Sequence, residues 1–175
     1  MKLLTSRQIR QVRDVCIFRI NGMEVFCNFV KLILNQMRMR YWLFPGNMNR
    51  FRLDDFIKDY GFIEWNPLRY KNHIQVGDIV FIYVGAPSKR ICYQMSVEKV
   101  NIPFNEWFDD RSYKIPPSNA WSATPGELMV RLKLIKKVNS PFLTFQFLNE
   151  NGLSGANWIR EIKDENLLKY ILKHI

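Results

Sequence analysis

Between Arg40 and Tyr83 the chain alternates apolar runs with hard stops, and this alternation restricts the fold more than any other feature. Tyr41-Trp42-Leu43-Phe44 reads as a strand and is stopped by Pro45-Gly46-Asn47. From Arg52 to Tyr60, Leu53, Phe56, Ile57 and Tyr60 recur at helical spacing, which predicts a short helix packed by one face. Asp54 and Asp55 fall in its first turn, where carboxylates meet the positive end of the helix, and Gly61 can supply a left-handed stop. Asn66 precedes Pro67, whose ring pushes its neighbour towards extended dihedrals, so Trp65 is expected in an extended loop. Ile74–Asp78 then turns into Ile79–Val84, a β-branched and aromatic run of buried-strand type. Two tryptophans therefore bracket one compact unit. Trp42, inside a strand, reads as core, whereas an indole in a loop at Trp65 needs a reason.

Downstream, Gly85-Ala86-Pro87-Ser88 leads to Arg90–Val100, whose alternating pattern predicts a strand adjacent and antiparallel to Ile79–Val84. Residues 101–126 are rich in Pro, Asn, Ser and Asp yet also hold Trp107 and Trp121. Loops of this length are more often functional than incidental. Glu127–Lys137 alternates again, Leu143–Leu148 is expected as a further strand, and Asp164–His174 is expected as an amphipathic helix with Leu167, Leu168, Ile171 and Leu172 inward. The fold class implied is α+β: a small, mostly antiparallel barrel or curved sheet surrounded by a few helices.

Residues 1–38 stand apart as a basic N-terminal extension, with residues 39–175 expected to form the domain proper. In the extension, Arg7, Arg10 and Arg13 would share one stripe of a short helix, and Asn21-Gly22 between two β-rich runs signals a hairpin. The alternative is a translated start upstream of the true one, since Met37 and Met39 stand just before the first strand-like run.

Charge narrows the function. Across 175 residues, 26 Lys and Arg stand against 16 Asp and Glu, a net +10 that suits a partner carrying phosphates. Cys16, Cys27 and Cys92 are odd in number and lack CxxC spacing, so neither a disulfide framework nor a zinc site is implied; reduced thiols and a cytoplasmic location are expected. No apolar run approaches the roughly 18–20 residues that span a bilayer, so no membrane partner is expected. His73 and His174 are the only histidines, and no P-loop, GxGxxG or GxSxG occurs. The neighbouring carboxylates Asp54-Asp55 and Asp109-Asp110 suit capping and solvation better than acid–base work. A binding module, without catalytic residues, metal or cofactor, is expected in place of an enzyme.

A reader of nucleobases needs flat apolar walls, a few polar groups for the base edge and cations for the backbone. Extruding a base costs a few kcal/mol, whereas one aromatic stack returns roughly 1–3 kcal/mol, so two walls are required. Trp65 is the first candidate, Trp121 the second and Trp107 the reserve. A methyl group on the base adds about 0.8 kcal/mol when its water is stripped away. The plain alternative is that these indoles cover the core with one edge exposed.

Tyr41-Trp42-Leu43-Phe44-Pro45-Gly46-Asn47, then Ile63-Glu64-Trp65, then Ile74-x-Val76-Gly77-Asp78-Ile79-Val80-Phe81-Ile82-Tyr83, with Ala86-Pro87, Ile91-x-Tyr93 and the late Asn151-Gly152-Leu153, together resemble the EVE domain of the PUA-like superfamily. The resemblance spans about residues 39–174, and its relatives include YTH and ASCH domains. It implies a PUA-like fold and a reader of nucleic acid, DNA or RNA, that recognises a methylated or hydroxymethylated base. Under it, Trp65 takes the place of the first cage tryptophan and Trp121 resembles the second, while Pro45, Gly46, Asn47 and Asn66 would shape the pocket rim. Arg50, Arg52, Arg69, Lys71, Lys89 and Arg90 would contact phosphates. EVE domains are often attached to nuclease or motor modules in modification-dependent restriction systems, so a separate nuclease or motor subunit is an expected partner. Two alternatives stay open: an RNA binder insensitive to modification, and a protein-interaction or regulatory subunit.

Overall fold

The computed structural model describes residues 39–117, 124 and 126–175; the basic extension expected over 1–38, and Trp121, lie outside them. Tyr41–Gly46 forms strand β1, and its pleat sends neighbouring side chains to opposite faces: Trp42 and Phe44 join one apolar cluster, Leu43 another. Helix α1, Leu53–Tyr60, follows, with Leu53, Phe56 and Ile57 buried. Gly61 ends it in the left-handed region (φ 72°), and its N–H donates to the Ile57 carbonyl (2.8 Å). The remaining strands are β2 Phe62–Trp65, β3 Ile79–Val84, β4 Arg90–Ile102, β5 Met129–Lys137 and β6 Arg160–Glu161. Helices α2, Phe145–Glu150, and α3, Glu165–His174, flank β6 in sequence. Asp164 caps α3 by accepting from Asn166 N (2.8 Å) and Leu167 N (3.0 Å).

The six strands form one sheet in the order β2-β5-β4-β3-β1-β6. Pairing is antiparallel except between β1 and β3, which run parallel from Tyr41↔Ile79 to Gly46↔Val84 because the chain crosses over through α1 and β2. Two cores follow from the alternation along β3: Val80, Ile82 and Val84 face the cluster that holds Trp42, Phe44, Phe56 and Leu132, whereas Phe81 and Tyr83 face Leu143, Leu148, Leu167 and Ile171. The α+β, mostly antiparallel curved sheet read from the sequence is the fold found.

Four local expectations are corrected. Leu143–Leu148 is not a strand: Pro141–Leu143 is a 3-10 turn and Phe145–Glu150 is α2. The Leu-Phe-Phe alternation that mimicked a strand is short, and Leu143 and Leu148 in fact reach the same cluster from a turn and a helix. Trp65 closes β2 opposite Val130 and so is not in a loop; a four-residue strand directly after Gly61 is defined by its distant partner β5, not by local pattern. The segment after residue 100 is less open than expected, since β4 runs on to Ile102 and 3-10 turns occupy Phe104–Glu106 and Arg111–Tyr113. Leu172, expected inward, is 42% exposed.

Candidate functional site

Strands β1 and β2 are separated by three others in the sheet, yet the rings of Phe44 and Trp65 meet edge-on with centroids 5.8 Å apart. The sheet therefore curls back on itself. Where the C-terminal ends of β1 and β2 converge lies a cavity of about 470 Å³, lined by Pro45, Gly46, Asn47, Arg50, Phe51, Leu53, Ile63, Glu64, Trp65, Asn66, Asp110, Lys114 and Met129. That volume falls in the range of small-molecule sites and leaves room for one nucleobase.

One rim is the stop after β1. Gly85 N donates to Gly46 O (3.0 Å), and Asn47 Oδ1 accepts from Asn49 N (3.0 Å), so Asn47 is fixed by its own turn while its Nδ2 amide meets no acceptor among the described residues. A side chain at Gly46 would place Cβ 3.2 Å from Ile82 Cγ2 and 3.4 Å from Leu53 Cδ2, so glycine is what lets the rim sit on the core. The opposite rim follows β2. Asn66 Oδ1 accepts from Leu68 N (2.8 Å), and Leu68 adopts φ 53°, unusual for a residue with a side chain. Glu127 ties this loop down: its carboxylate accepts from Thr124 N (2.7 Å) and bonds to the Asn66 side chain, and the two together, backbone bond first, hold its pKa below the ordinary carboxylate value.

The floor is polar but satisfied. Glu64, buried, accepts from both Nε (3.1 Å) and Nη2 of Arg131, its direct cross-strand partner, and from Phe108 N (2.8 Å). Arg131 in turn stacks over the Phe62 ring at 4.5 Å. A carboxylate so engaged supports the floor and is poorly placed to take a proton from a ligand. Cations stand at the wall: Arg50 and Lys114 line the cavity, and their segments are joined by an isolated bridge, Phe51↔Lys114, and by Ile115 N donating to Arg50 O (2.8 Å).

Of the residues singled out from the sequence, Pro45, Gly46, Asn47, Trp65, Asn66 and Arg50 share this lining. Trp107 does not: its indole is 9% exposed, donates through Nε1 to Ile102 O (3.0 Å) and packs with Ile102 and Met129, so it stands behind a lining residue. Trp121 is outside the described residues. Arg52, Arg69, Lys71, Lys89 and Arg90 also lie off the lining. Arg52 pairs with Asp55 (3.3 Å) and stacks over Tyr113, Arg69 stacks over Tyr70, and Lys71 lies near enough to Glu127 to help lower its pKa. Lys89 ends the β3–β4 turn, which the Gly85–Gly46 bond ties to the rim, and Arg90 opens β4 opposite Val84. Glu64, Asp110, Lys114 and Met129 were missed. Strand pairing and a bridge deliver them from far along the chain, and only the position of Glu64 beside Trp65 hinted at its place. Among the described residues no group of His, Cys, Asp and Glu could hold a metal ion, and no helix is long and apolar enough to cross a membrane.

A family profile described as the EVE domain matches residues 40–167. No curated protein matches the chain significantly. Several solved structures share its fold at low identity. A hypothetical protein from Leishmania major superposes with a TM-score of 0.54 at 19% identity, over 78% of this chain and 94% of that one. The human THYN1 protein, solved in complex with DNA containing 5-methylcytosine, gives 0.52 at 14% identity, over 77% of this chain and 96% of that one. An ASCH protein from Zymomonas mobilis gives 0.50 at 9% identity, over 77% and 94%. The shared architecture is the PUA-like one.

Proposed function

The chain belongs to the EVE domain family, and on that premise we propose that it is a nucleic-acid-binding domain whose cavity accepts an extruded, modified base against the indole of Trp65. The observation that carries this reading is the station of Trp65: the last residue of β2, braced edge-on by Phe44, on the wall of a cavity large enough for one base. The Asn47 rim supplies an amide for the base edge, Asn66 shapes the opposite rim with its amide already bonded to Leu68 N and Glu127, and Arg50 and Lys114 supply charge for the backbone that delivers the base. The complex of the similarly folded THYN1 with 5-methylcytosine-containing DNA supports the same class of ligand. One stack returns roughly 1–3 kcal/mol against an extrusion cost of a few, so a second aromatic wall is part of the proposal. Trp121 is its candidate, since the buried Trp107 indole already has its partners. Arg52, Arg69, Lys71, Lys89 and Arg90 act, on this reading, as an outer ring of phosphate contacts, and cleavage would fall to a separate nuclease or motor subunit.

The test is equilibrium binding to matched DNA and RNA oligonucleotides with and without 5-methylcytosine, 5-hydroxymethylcytosine or N6-methyladenine. One modified strand should bind more tightly than its unmodified match, and Trp65→Ala should erase the difference. Equal affinity across the series, unaltered by Trp65→Ala, would sink the reading.

A further inference from the structure

Trp158 is 56% exposed and belongs to neither of the two main apolar clusters, although its neighbour Ile159 is buried in the Trp42–Phe44 cluster and nearby Ala156 in the other. The fold therefore does not need this indole for packing. Its address is informative. Strand β6 pairs antiparallel with β1 through Trp42↔Glu161 and Leu43↔Arg160. Just before Arg160, Ile159 shares a buried cluster with Phe44, the β1 residue that precedes the rim residue Pro45, and the chain bends at Asn157 and Trp158.

Arg160 is organised around the same spot. Its guanidinium lies 6.0 Å from the Trp158 ring centroid, Nη1 donates to Ser154 Oγ (3.0 Å), and Nε is buried with no hydrogen-bond partner among the described residues. An exposed indole with a tethered cation at its face is the arrangement that binds a stacked base and its backbone charge in single-strand binders, and here it stands just ahead of the strand that pairs with β1.

We infer that Trp158 and Arg160 form a stacking platform for the nucleotide next to the one held in the cavity, so that the binding surface extends from the Pro45 rim across the β1–β6 edge. The inference rests on reading the cavity as a base pocket. The platform would add affinity for any flanking base, because every base has a face to stack, while the cavity would supply the selection.

The experiment uses a short single strand with one central modified base, and the same strand made abasic at each position flanking it in turn, against the full-length protein and its Trp158→Ala, Trp158→Phe and Trp65→Ala variants. Trp158→Ala should bind the intact strand about tenfold more weakly, with Trp158→Phe retaining most of the affinity. Removing one flanking base should weaken the unsubstituted protein by a similar factor and Trp158→Ala hardly at all. Trp65→Ala should lose preference for the modified base but keep the flanking-base effect. If Trp158→Ala binds like the unsubstituted protein, or loses as much again when the flanking base is removed, the platform is wrong. If Trp65→Ala keeps its preference for the modified base, it is the cavity reading that fails.

Discussion

Trp42 and Trp65 sit on facing parts of the same core, yet their surroundings are opposite in kind. Trp42 is fully buried, and its Nε1 donates to Asp78 Oδ2 (2.8 Å). Asp78 also accepts from Arg40 N (3.0 Å) and Gln75 N (3.0 Å), so one buried carboxylate satisfies three donors where β1 and β3 begin. Trp65 is only half-buried, braced by one edge of Phe44 and facing a cavity of about 470 Å³. The two ends of the β1–β3 pair therefore have separate tasks. A buried indole with its N–H paired stabilises the fold, whereas an indole left beside unfilled space gives up dispersion contacts that a ligand can restore.

Substitutions can break this contrast. Asp78→Ala leaves three donors, one buried and two part-buried, without their acceptor and should cost about 3 kcal/mol of unfolding free energy in a urea titration, while the protein that remains folded binds as before. Trp65→Ala should reverse the pattern: a loss of roughly 2 kcal/mol, or about thirtyfold, in affinity for the modified strand, with a smaller change in stability. A Trp65→Ala protein that unfolds as readily as Asp78→Ala would place Trp65 with the core. Glu64→Gln weakens the Arg131 pair beneath the cavity and should lower stability by about 1.5 kcal/mol, read by the same titration, and blunt affinity in proportion to the floor's displacement.

The smallest effect belongs to Glu127, whose folded pKa is depressed below its ordinary 4.5, first by Thr124 N–H and then by Asn66. A depressed carboxyl stabilises the folded state above its unfolded pKa and loses that contribution as pH falls through the folded value. The difference in thermal midpoint between the unsubstituted protein and Glu127→Gln should therefore be present at neutral pH and shrink as pH drops below 4.5. A difference that grows in acid would contradict the hydrogen-bonding assigned to the Asn66 rim.

What could be read from the sequence divides along the same line. Helices α1 and α3 and strands β1, β3 and β4 carry local signals in periodicity, first-turn carboxylates and the Gly61 stop, and they stand where those signals put them. Strands β2 and β6 have four and two residues and exist through their pairing with β5 and β1, so nothing local announces them. The cavity lining shows the same division. Pro45, Gly46, Asn47, Arg50, Trp65 and Asn66 cluster within one stretch of chain, while Asp110, Lys114 and Met129 arrive by long-range pairing. Trp158 escaped notice because its neighbours Asn157 and Ile159 form no motif; its interest comes from its exposure and from the Arg160 guanidinium at its face.

The central claim is that a base leaves its stack and comes to rest against Trp65. The most direct measurement is the fluorescence of 2-aminopurine placed beside the modified base in a duplex, titrated with the protein and with Trp65→Ala. Fluorescence should rise on binding, as the neighbouring base loses its stacking partner, with no comparable rise for Trp65→Ala. Saturable binding with no rise, or an equal rise with Trp65→Ala, would contradict it.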